Sequence, residues 1–339
     1  MNRNLIELED RILAPSKALV ADMKKISGDI MILGIGGKMG PSMGKLAIRA
    51  IKEAGSTQRI IGVSRFSDNA VRQELEELGI VTYSCDLLNR NELQKLPQVP
   101  NIIFLVGHKF GTTGNEDFTW AMNTYLPAIV AEHFKDSKIV AFSSGNVLPF
   151  VPITAGGASE EIAPEPIGEY AQSCLGRERM FQYFSKKNRT EILIYRLNYA
   201  VDFRYGVLVE IARSVLNDQP IDLATGNVNV IWQGDANEIA LRSLLHCTTP
   251  AKVLNVTGPE TLSVKWVAEL FGELFEKEPT FINVPEGSAL LNNASECHRL
   301  FGYPQITIRQ AIEITAQWLI QGGDSINKDT HFQERRGKF

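Results

Sequence analysis

The chain is short of cysteine, of long hydrophobic runs and of any excess of one charge, and each shortage excludes something. Its four cysteines, Cys85, Cys174, Cys247 and Cys297, are scattered over 339 residues without metal-ligand spacing. A reduced, cytoplasmic protein with no metal site is the expectation. No apolar run approaches the roughly 20 residues needed to cross a bilayer. The first 25 residues carry Glu7, Glu9, Asp10 and Asp22 among their apolar positions and lack the continuous apolar core of a signal peptide. Lysine and arginine total 35 against 39 acidic residues, a net charge of −4. Neither nucleic acid nor an anionic membrane is therefore expected as the main partner. There is no internal repeat and no low-complexity linker. At 44% hydrophobic residues the chain can build a large core, in one to three domains.

What is present is a glycine-rich turn in a telling place. The run Ile30-Met31-Ile32-Leu33 leads into Gly34-Ile35-Gly36-Gly37-Lys38-Met39-Gly40, and a helix-like stretch from Pro41 to Ala50 follows. Strand, glycine turn and helix N-terminus in that order seat a pyrophosphate. Backbone N–H groups and the positive end of the helix dipole face the anion, and glycines let the backbone come close. Gly34, Gly36 and Gly40 approximate the ordinary dinucleotide fingerprint with one extra residue. Gly34, Gly37 and Gly40 fit a G-x-x-G-x-x-G spacing with no insertion, which is the better match.

From Ile30 onward, strand-like runs alternate with helical stretches. The strands are read at Ile30–Leu33, Ile60–Val63, Val81–Ser84, Ile102–Val106, Lys138–Phe142 and Ile192–Leu197, which predicts an α/β, Rossmann-like, doubly wound and mostly parallel sheet. Helices are predicted near 207–216, 236–245, 264–275 and 309–320 in a smaller, mixed α/β C-terminal lobe. The expected division is a helical extension over 1–29, with helices around Leu5, Ile6 and Leu8 and around Ile12 and Leu13, broken near Pro15. A dinucleotide domain covers 30–198 and a substrate lobe 199–321. A polar tail over 322–339 either stays loose or clasps a neighbouring surface.

After the second strand, Ser64 and Arg65 stand where an acidic residue would accept the adenosine ribose hydroxyls. A hydroxyl and a guanidinium suit a 2′-phosphate instead, so NADP is favoured over NAD. Asp86, with Leu87 beside it, is placed to meet the adenine edge, or serves as a cap or turn residue. Val106 and Gly107 would let the cofactor pass close to the fourth strand.

Two further segments complete the pattern: Phe142-Ser143-Ser144-Gly145-Asn146-Val147, ending a strand, and Tyr170-Ala171-Gln172-Ser173-Cys174 after a loop. With the glycine turn and Asp86, the set resembles the extended short-chain dehydrogenase/reductases, the NAD-dependent epimerase/dehydratase family. The resemblance runs from about Ile30 to Leu319. It takes in Arg196-Leu197-Asn198, Leu254-Asn255-Val256-Thr257-Gly258 and Leu300-Phe301-Gly302-Tyr303. It implies that Ser144 holds the substrate hydroxyl or carbonyl and that Tyr170 moves its proton while hydride passes to or from the nicotinamide. It also implies a homodimer built through two helices of each subunit.

One departure stands out. The family places a lysine four residues after the tyrosine, lowering its pKa and gripping the nicotinamide ribose, and this chain has Cys174 there. A thiol supplies neither the charge nor the hydrogen bonds. Arg177 shares the helix face about two turns on, or is an outward salt-bridging residue. His108 and Lys109 enter from the fourth strand, and His108 is either a proton carrier near neutral pH or a loop residue that only caps. Cys174 is a packed helix cysteine or a nucleophile.

The substrate side departs too. Family members that act on sugar nucleotides carry an arginine near the position of Val228, within Asn227-Val228-Asn229-Val230-Ile231-Trp232-Gln233. Its loss points to a smaller substrate: a free sugar, sugar acid, or hydroxy or keto acid. Asn198, Tyr199, Arg204, Asn229, Trp232 and Gln233 are candidates for its pocket, and each fits core or surface equally well. The expectation is an NADP- or NAD-dependent oxidoreductase or epimerase/dehydratase on a small carbohydrate-like molecule. The alternative is a silent cofactor-binding sensor or scaffold.

Overall fold

Ile30–Leu33 (β1) is buried at all four positions, as expected of a strand covered on both faces, where apolar residues run without alternation. The same holds for Asn101–Phe104 (β4) and nearly so for Ile60–Ser64 (β2), Lys138–Ser144 (β5) and Ile192–Leu197 (β6). With Val81–Ser84 (β3) and Lys252–Val256 (β7) they form one seven-stranded sheet, ordered β7-β6-β5-β4-β1-β2-β3, in which every pairing is parallel. The computed structural model describes residues 12–109, 111–326 and 330–338. The Rossmann-like architecture read from the sequence is the one observed.

The order reverses between β1 and β4, so a crevice opens beyond their C-terminal ends, where open α/β sheets bind ligands. The glycine turn leads from β1 into Gly40–Ala54 (α2). This helix has Pro41 in its first turn, no side-chain cap at Met39, and Gly55 at φ 64° closing its far end. An uncapped N-terminus leaves the positive end of the helix dipole for a ligand.

The described N-terminal residues open on a helical Ile12 and a turn at Leu13, and a second helix begins after Pro15. Ser16 caps Lys17–Met23 (α1) through the Leu19 N–H and also donates to Glu238 at 2.5 Å. Leu19 and Met23 are wholly buried against α2 and Gln233–Arg242 (α3). The helix expected around Leu5, Ile6 and Leu8 lies outside the described residues.

Residues 233–256, read as part of the later lobe, return to the first: α3 packs on α1 and α2, and β7 extends the sheet beside β6. An apolar run carries no label for its partner strand, so pairing decides what pattern cannot. The second lobe gathers Val207–Leu216 (α4), Val264–Phe275 (α5) and Ile308–Ile320 (α6) around the fully buried Trp318, with short two-stranded ribbons at its rim. Val228 sits in this core at 1% exposure, in a place that admits no charge. Among the described residues no helix is long and apolar enough to cross a membrane.

Gly168–Asn188 (α7) is locked to the sheet by a buried ion pair. Glu178 takes both Nε and Nη2 of Arg196 on β6 at 2.8 Å, and Ser143 on β5 donates to the same carboxylate at 2.7 Å. Both charged side chains are 3% exposed or less. Such a pair is costly to break from one side, because the other charge stays buried and uncompensated. Glu178→Gln is therefore expected to lower the urea-unfolding free energy by about 3–5 kcal/mol. Replacing both partners, Glu178→Leu with Arg196→Met, is expected to recover most of it. An unchanged single variant would contradict the role assigned to the pair.

Candidate active site

The glycine turn is shaped by its contacts. Gly34 has φ 89° and passes close to Val106, where a Cβ would meet Cγ2 at 3.0 Å. At Gly36 a Cβ would fall 2.6 Å from Ser64 Oγ, and at Gly40 only 2.0 Å from the Ile35 carbonyl. Gly37 is the least confined, with the Gly34 carbonyl at 3.2 Å. The fold's own packing thus demands glycine at 34, 36 and 40, while Gly37 faces the open crevice.

That crevice is a cavity of about 240 Å³ lined by Gly34, Gly36, Gly37, Ser64, Arg65, Asp86, Leu87, Val106 and Gly107. The sequence named all of these. It missed Phe66, at φ 48°, Ser67, Cys85, Met122 and Leu126, which also line it. Asp86 accepts the Leu88 N–H at 3.1 Å, so it holds its turn while facing the cavity. Glycine approach, an uncapped helix N-terminus and an apolar-walled slot beside Arg65 fit a dinucleotide.

A second cavity of about 250 Å³ adjoins Lys38 and Met39. It is lined by Lys109, Ser143, Ser144, Asn146, Tyr170, Leu197, Tyr199, Tyr205 and Thr330. Ser144 ends β5, with its Oγ accepting the Asn146 N–H at 3.2 Å and donating to Asn146 Oδ1 at 3.0 Å. It is also hydrogen-bonded to Tyr170, which comes from the first turn of α7. Burial pushes the Tyr170 phenol well above its usual range, opposed by the bond to Ser144 and the charge of Arg177. It is thus held protonated. Lys109 places its Nζ 5.8 Å from the Tyr170 ring centroid. Burial draws its ammonium down to about 8, within reach of neutral pH.

Cys174 is fully buried among Val147, Leu148 and Ala158, and burial raises its thiol pKa, which makes it a packing residue rather than a nucleophile. Arg177 is not an outward salt-bridging residue. It lies 5% exposed beneath Gly107, donating Nη1 to the Phe142 carbonyl at 2.8 Å and Nη2 to Asn123 Oδ1 at 2.6 Å. His108 turns away from the pocket and meets the edge of Phe118, its ring centroid 5.2 Å distant.

Asn123 is the residue that sequence reading missed. It is fully buried in a π-helical turn, Ala121–Tyr125. Its side chain accepts the His108 N–H and donates to the His108 carbonyl, both at 2.8 Å, and it reaches Ser173 Oγ at 3.0 Å. It therefore fixes the loop that carries Lys109. A signal existed: Pro127 has no N–H to offer the Asn123 carbonyl four residues earlier. That carbonyl accepts Arg177 Nε instead, at 3.3 Å.

The proposed substrate residues are mostly elsewhere. Asn198 and Asn229 bond each other at 2.8 Å, and Asn229 holds the Asn292 carbonyl at 2.6 Å, all buried. Trp232 belongs to the second-lobe core. Gln233 donates to Ser42 at 3.1 Å at the N-terminus of α2, and the Arg204 guanidinium lies 4.7 Å and 4.9 Å from the Phe203 and Trp318 rings. Of the six candidates only Tyr199 lines the Ser144–Tyr170 cavity. Periodicity places a polar residue near a cleft but not its side chain's heading.

Comparison with known proteins bears on the fold. UDP-glucuronic acid 4-epimerase from Bacillus cereus, in complex with UDP-glucuronic acid and NAD, matches with TM-score 0.68 at 18% identity, covering 86% of this chain and 99% of that one. UDP-glucose 4-epimerase from Thermotoga maritima, with UDP-glucose, matches with TM-score 0.71 at 14% identity, covering 87% and 99%. RMD from Pseudomonas aeruginosa, complexed with NADPH, matches with TM-score 0.67 at 19% identity, covering 86% and 98%. At such identities the likeness establishes a shared fold. No protein-family model and no curated protein sequence matches the chain.

Asn123→Leu removes the acceptor of a buried guanidinium and of a loop N–H together. Chemical denaturation is expected to show a loss of about 2–4 kcal/mol. A loss under about 0.5 kcal/mol would mean that the loop and Arg177 do not depend on it.

Proposed function

We propose that this chain is a nicotinamide-dependent enzyme of the extended short-chain dehydrogenase/reductase type, acting as an oxidoreductase or an epimerase/dehydratase on a small carbohydrate-like substrate. The observation that carries this reading is one juxtaposition. A hydrogen-bonded Ser144–Tyr170 pair and the Lys109 ammonium share a cavity that adjoins the end of a dinucleotide-shaped crevice. When bound, NADP or NAD supplies the hydride donor or acceptor. Ser144 holds the reacting oxygen, and Tyr170 gives or takes its proton.

Proton transfer needs a tyrosine whose phenolate is within reach, and burial works against that. Lys109 answers the missing lysine at position 174. Its Nζ lies 5.8 Å from the Tyr170 ring centroid, and a cation there favours the phenolate. Arg177 adds to this from behind the sheet ends. A substrate smaller than a sugar nucleotide is part of this reading. Buried Val228 in place of an arginine agrees with it. The UDP-sugars bound by two of the structural counterparts belong to those proteins. Arg65 beside Ser64 favours NADP. A homodimer is expected through α7 and the helical stretch 116–133, where Trp120, Tyr125 and Tyr183 are partly exposed. The silent-sensor alternative rests on Cys174, and it predicts cofactor binding without turnover.

Two outcomes test the reading. Lys109 is charged below about pH 8, so its help to Tyr170 is present there and lost as pH rises through that value. Turnover in the wild type should show this descending limb. Lys109→Met should lower kcat/KM about a hundredfold and abolish the limb, whereas an unchanged profile would remove Lys109 from the mechanism. Arg65→Glu should weaken NADP at least tenfold while leaving NAD within threefold. Equal loss of both would sink the 2′-phosphate assignment.

A further inference from the structure

The last described residues do not trail away from the protein. Thr330 bonds Glu210 on α4 through both its N–H and its hydroxyl, and its carbonyl accepts Lys109 Nζ at 3.0 Å. Phe332 is 3% exposed in the core of the second lobe. On the other side, Arg335 donates to the Ser288 carbonyl at 2.9 Å, pairs with Glu286 at 2.9 Å, and lies 4.4 Å from the Phe150 ring centroid. Gly337 passes against Gly168, the first residue of α7. A Cβ on Gly168 would fall 2.3 Å from the Gly337 carbonyl oxygen. The segment is thus anchored at one end on α4 and its lobe, and at the other on the segment around Phe150 and the start of the Tyr170 helix. Between these anchors Thr330 is part of the lining of the Ser144–Tyr170 cavity, while His331, Phe332 and Gln333 line a separate cavity beside α4.

We infer that residues 330–337 form a strap that walls the substrate pocket and sets the size of molecule admitted, so that the substrate is of monosaccharide size and carries no nucleotide. This rests on the hydride-transfer reading of the same site. A substituent running from a sugar held at Ser144 and Tyr170 toward this side of the cavity would meet Thr330. Its backbone is held by hydrogen bonds and by a buried aromatic ring, so it is part of the wall and not a loose end. The strap also decides what Lys109 touches, since the Thr330 carbonyl fixes Nζ beside Tyr170. Specificity here is exclusion: a large molecule is refused by what already fills its place.

The test uses Lys109 as a reporter of access, because its lowered pKa makes it acylate near neutral pH. The NADP-loaded full chain, a chain ending at Ile326, and the milder variant Arg335→Ala/Gly337→Ala are each treated with acetic anhydride or with the bulky succinimidyl ester of biotin. Modification of Lys109 is followed by peptide mass spectrometry, and turnover of free sugars is compared with that of UDP-glucose. In the full chain the small reagent should label Lys109 and the bulky one should not. Shortening the chain should raise bulky labelling at least tenfold and the milder variant at least threefold, with selectivity shifting toward UDP-glucose by similar factors. If the shortened chain fails to fold, the milder variant decides. Bulky labelling that is equal in full and altered chains, or UDP-glucose turned over by the full chain as well as any free sugar, would overturn the strap. Absence of turnover in every chain would contradict the hydride-transfer reading, while the labelling ratio still decides the wall.

Discussion

The site depends on one buried contact, the two-pronged pairing of Glu178 with Arg196 and its third partner Ser143. Tyr170 stands on α7 about 12 Å up the helix from Glu178, and Ser144 is the residue after Ser143. Any rotation of α7 about its axis would draw a buried carboxylate away from a buried guanidinium, and desolvation makes that motion costly. The pair thereby converts the sheet's rigidity into a fixed meeting of Ser144 and Tyr170. The two adjacent serines have separate work: one holds the helix, the other faces the pocket.

Around that fixed pair, charge is supplied by an unusual route. The position one turn after Tyr170 holds a buried, inert thiol, so the cations come from the ends of β4 and from deeper in α7. Asn123 ties these sources together. Its side chain clamps the His108 backbone, which sets the path of Lys109, and the same amide oxygen takes the Arg177 guanidinium. A π-helical turn opened by Pro127 lets the Asn123 carbonyl serve as well. Burial then acts on both partners in opposite senses, drawing Lys109 down and pushing Tyr170 up, and so drives apart two groups whose ordinary pKa values lie close together.

Most of the sheet was legible because strands covered on both faces write themselves as unbroken apolar runs, and β1 and β6 begin and end where the sequence places them, as does the exposed edge strand β3. The crevice beside the glycine turn was legible for a related reason: glycine at a tight strand-to-helix turn leaves a local signature. What escaped was partnership at long range. Lys252–Val256 is not among the strands read from the sequence, and nothing in its residues says that it pairs with β6. Arg177 is placed on a helix face by periodicity, but its inward heading follows from the carbonyls and the asparagine waiting there. The polar tail left two readings open, loose or clasping a neighbouring surface, because Thr330, Phe332 and Arg335, which anchor it, are residues that composition cannot distinguish from solvated ones.

The central claim is that Ser144, Tyr170 and Lys109 form a proton-transfer site serving a bound nicotinamide. The most direct measurement is absorbance at the reduced-nicotinamide band, with the protein preloaded stoichiometrically with NADP or NAD and mixed with a panel of sugars, sugar acids and sugar nucleotides. The account predicts a substrate-dependent signal from a small sugar or sugar acid that vanishes in Tyr170→Phe. A signal that persists marks a dehydrogenase, and one that rises and decays marks an epimerase or dehydratase. Failure to bind either nicotinamide, or a signal undiminished in Tyr170→Phe, would contradict it.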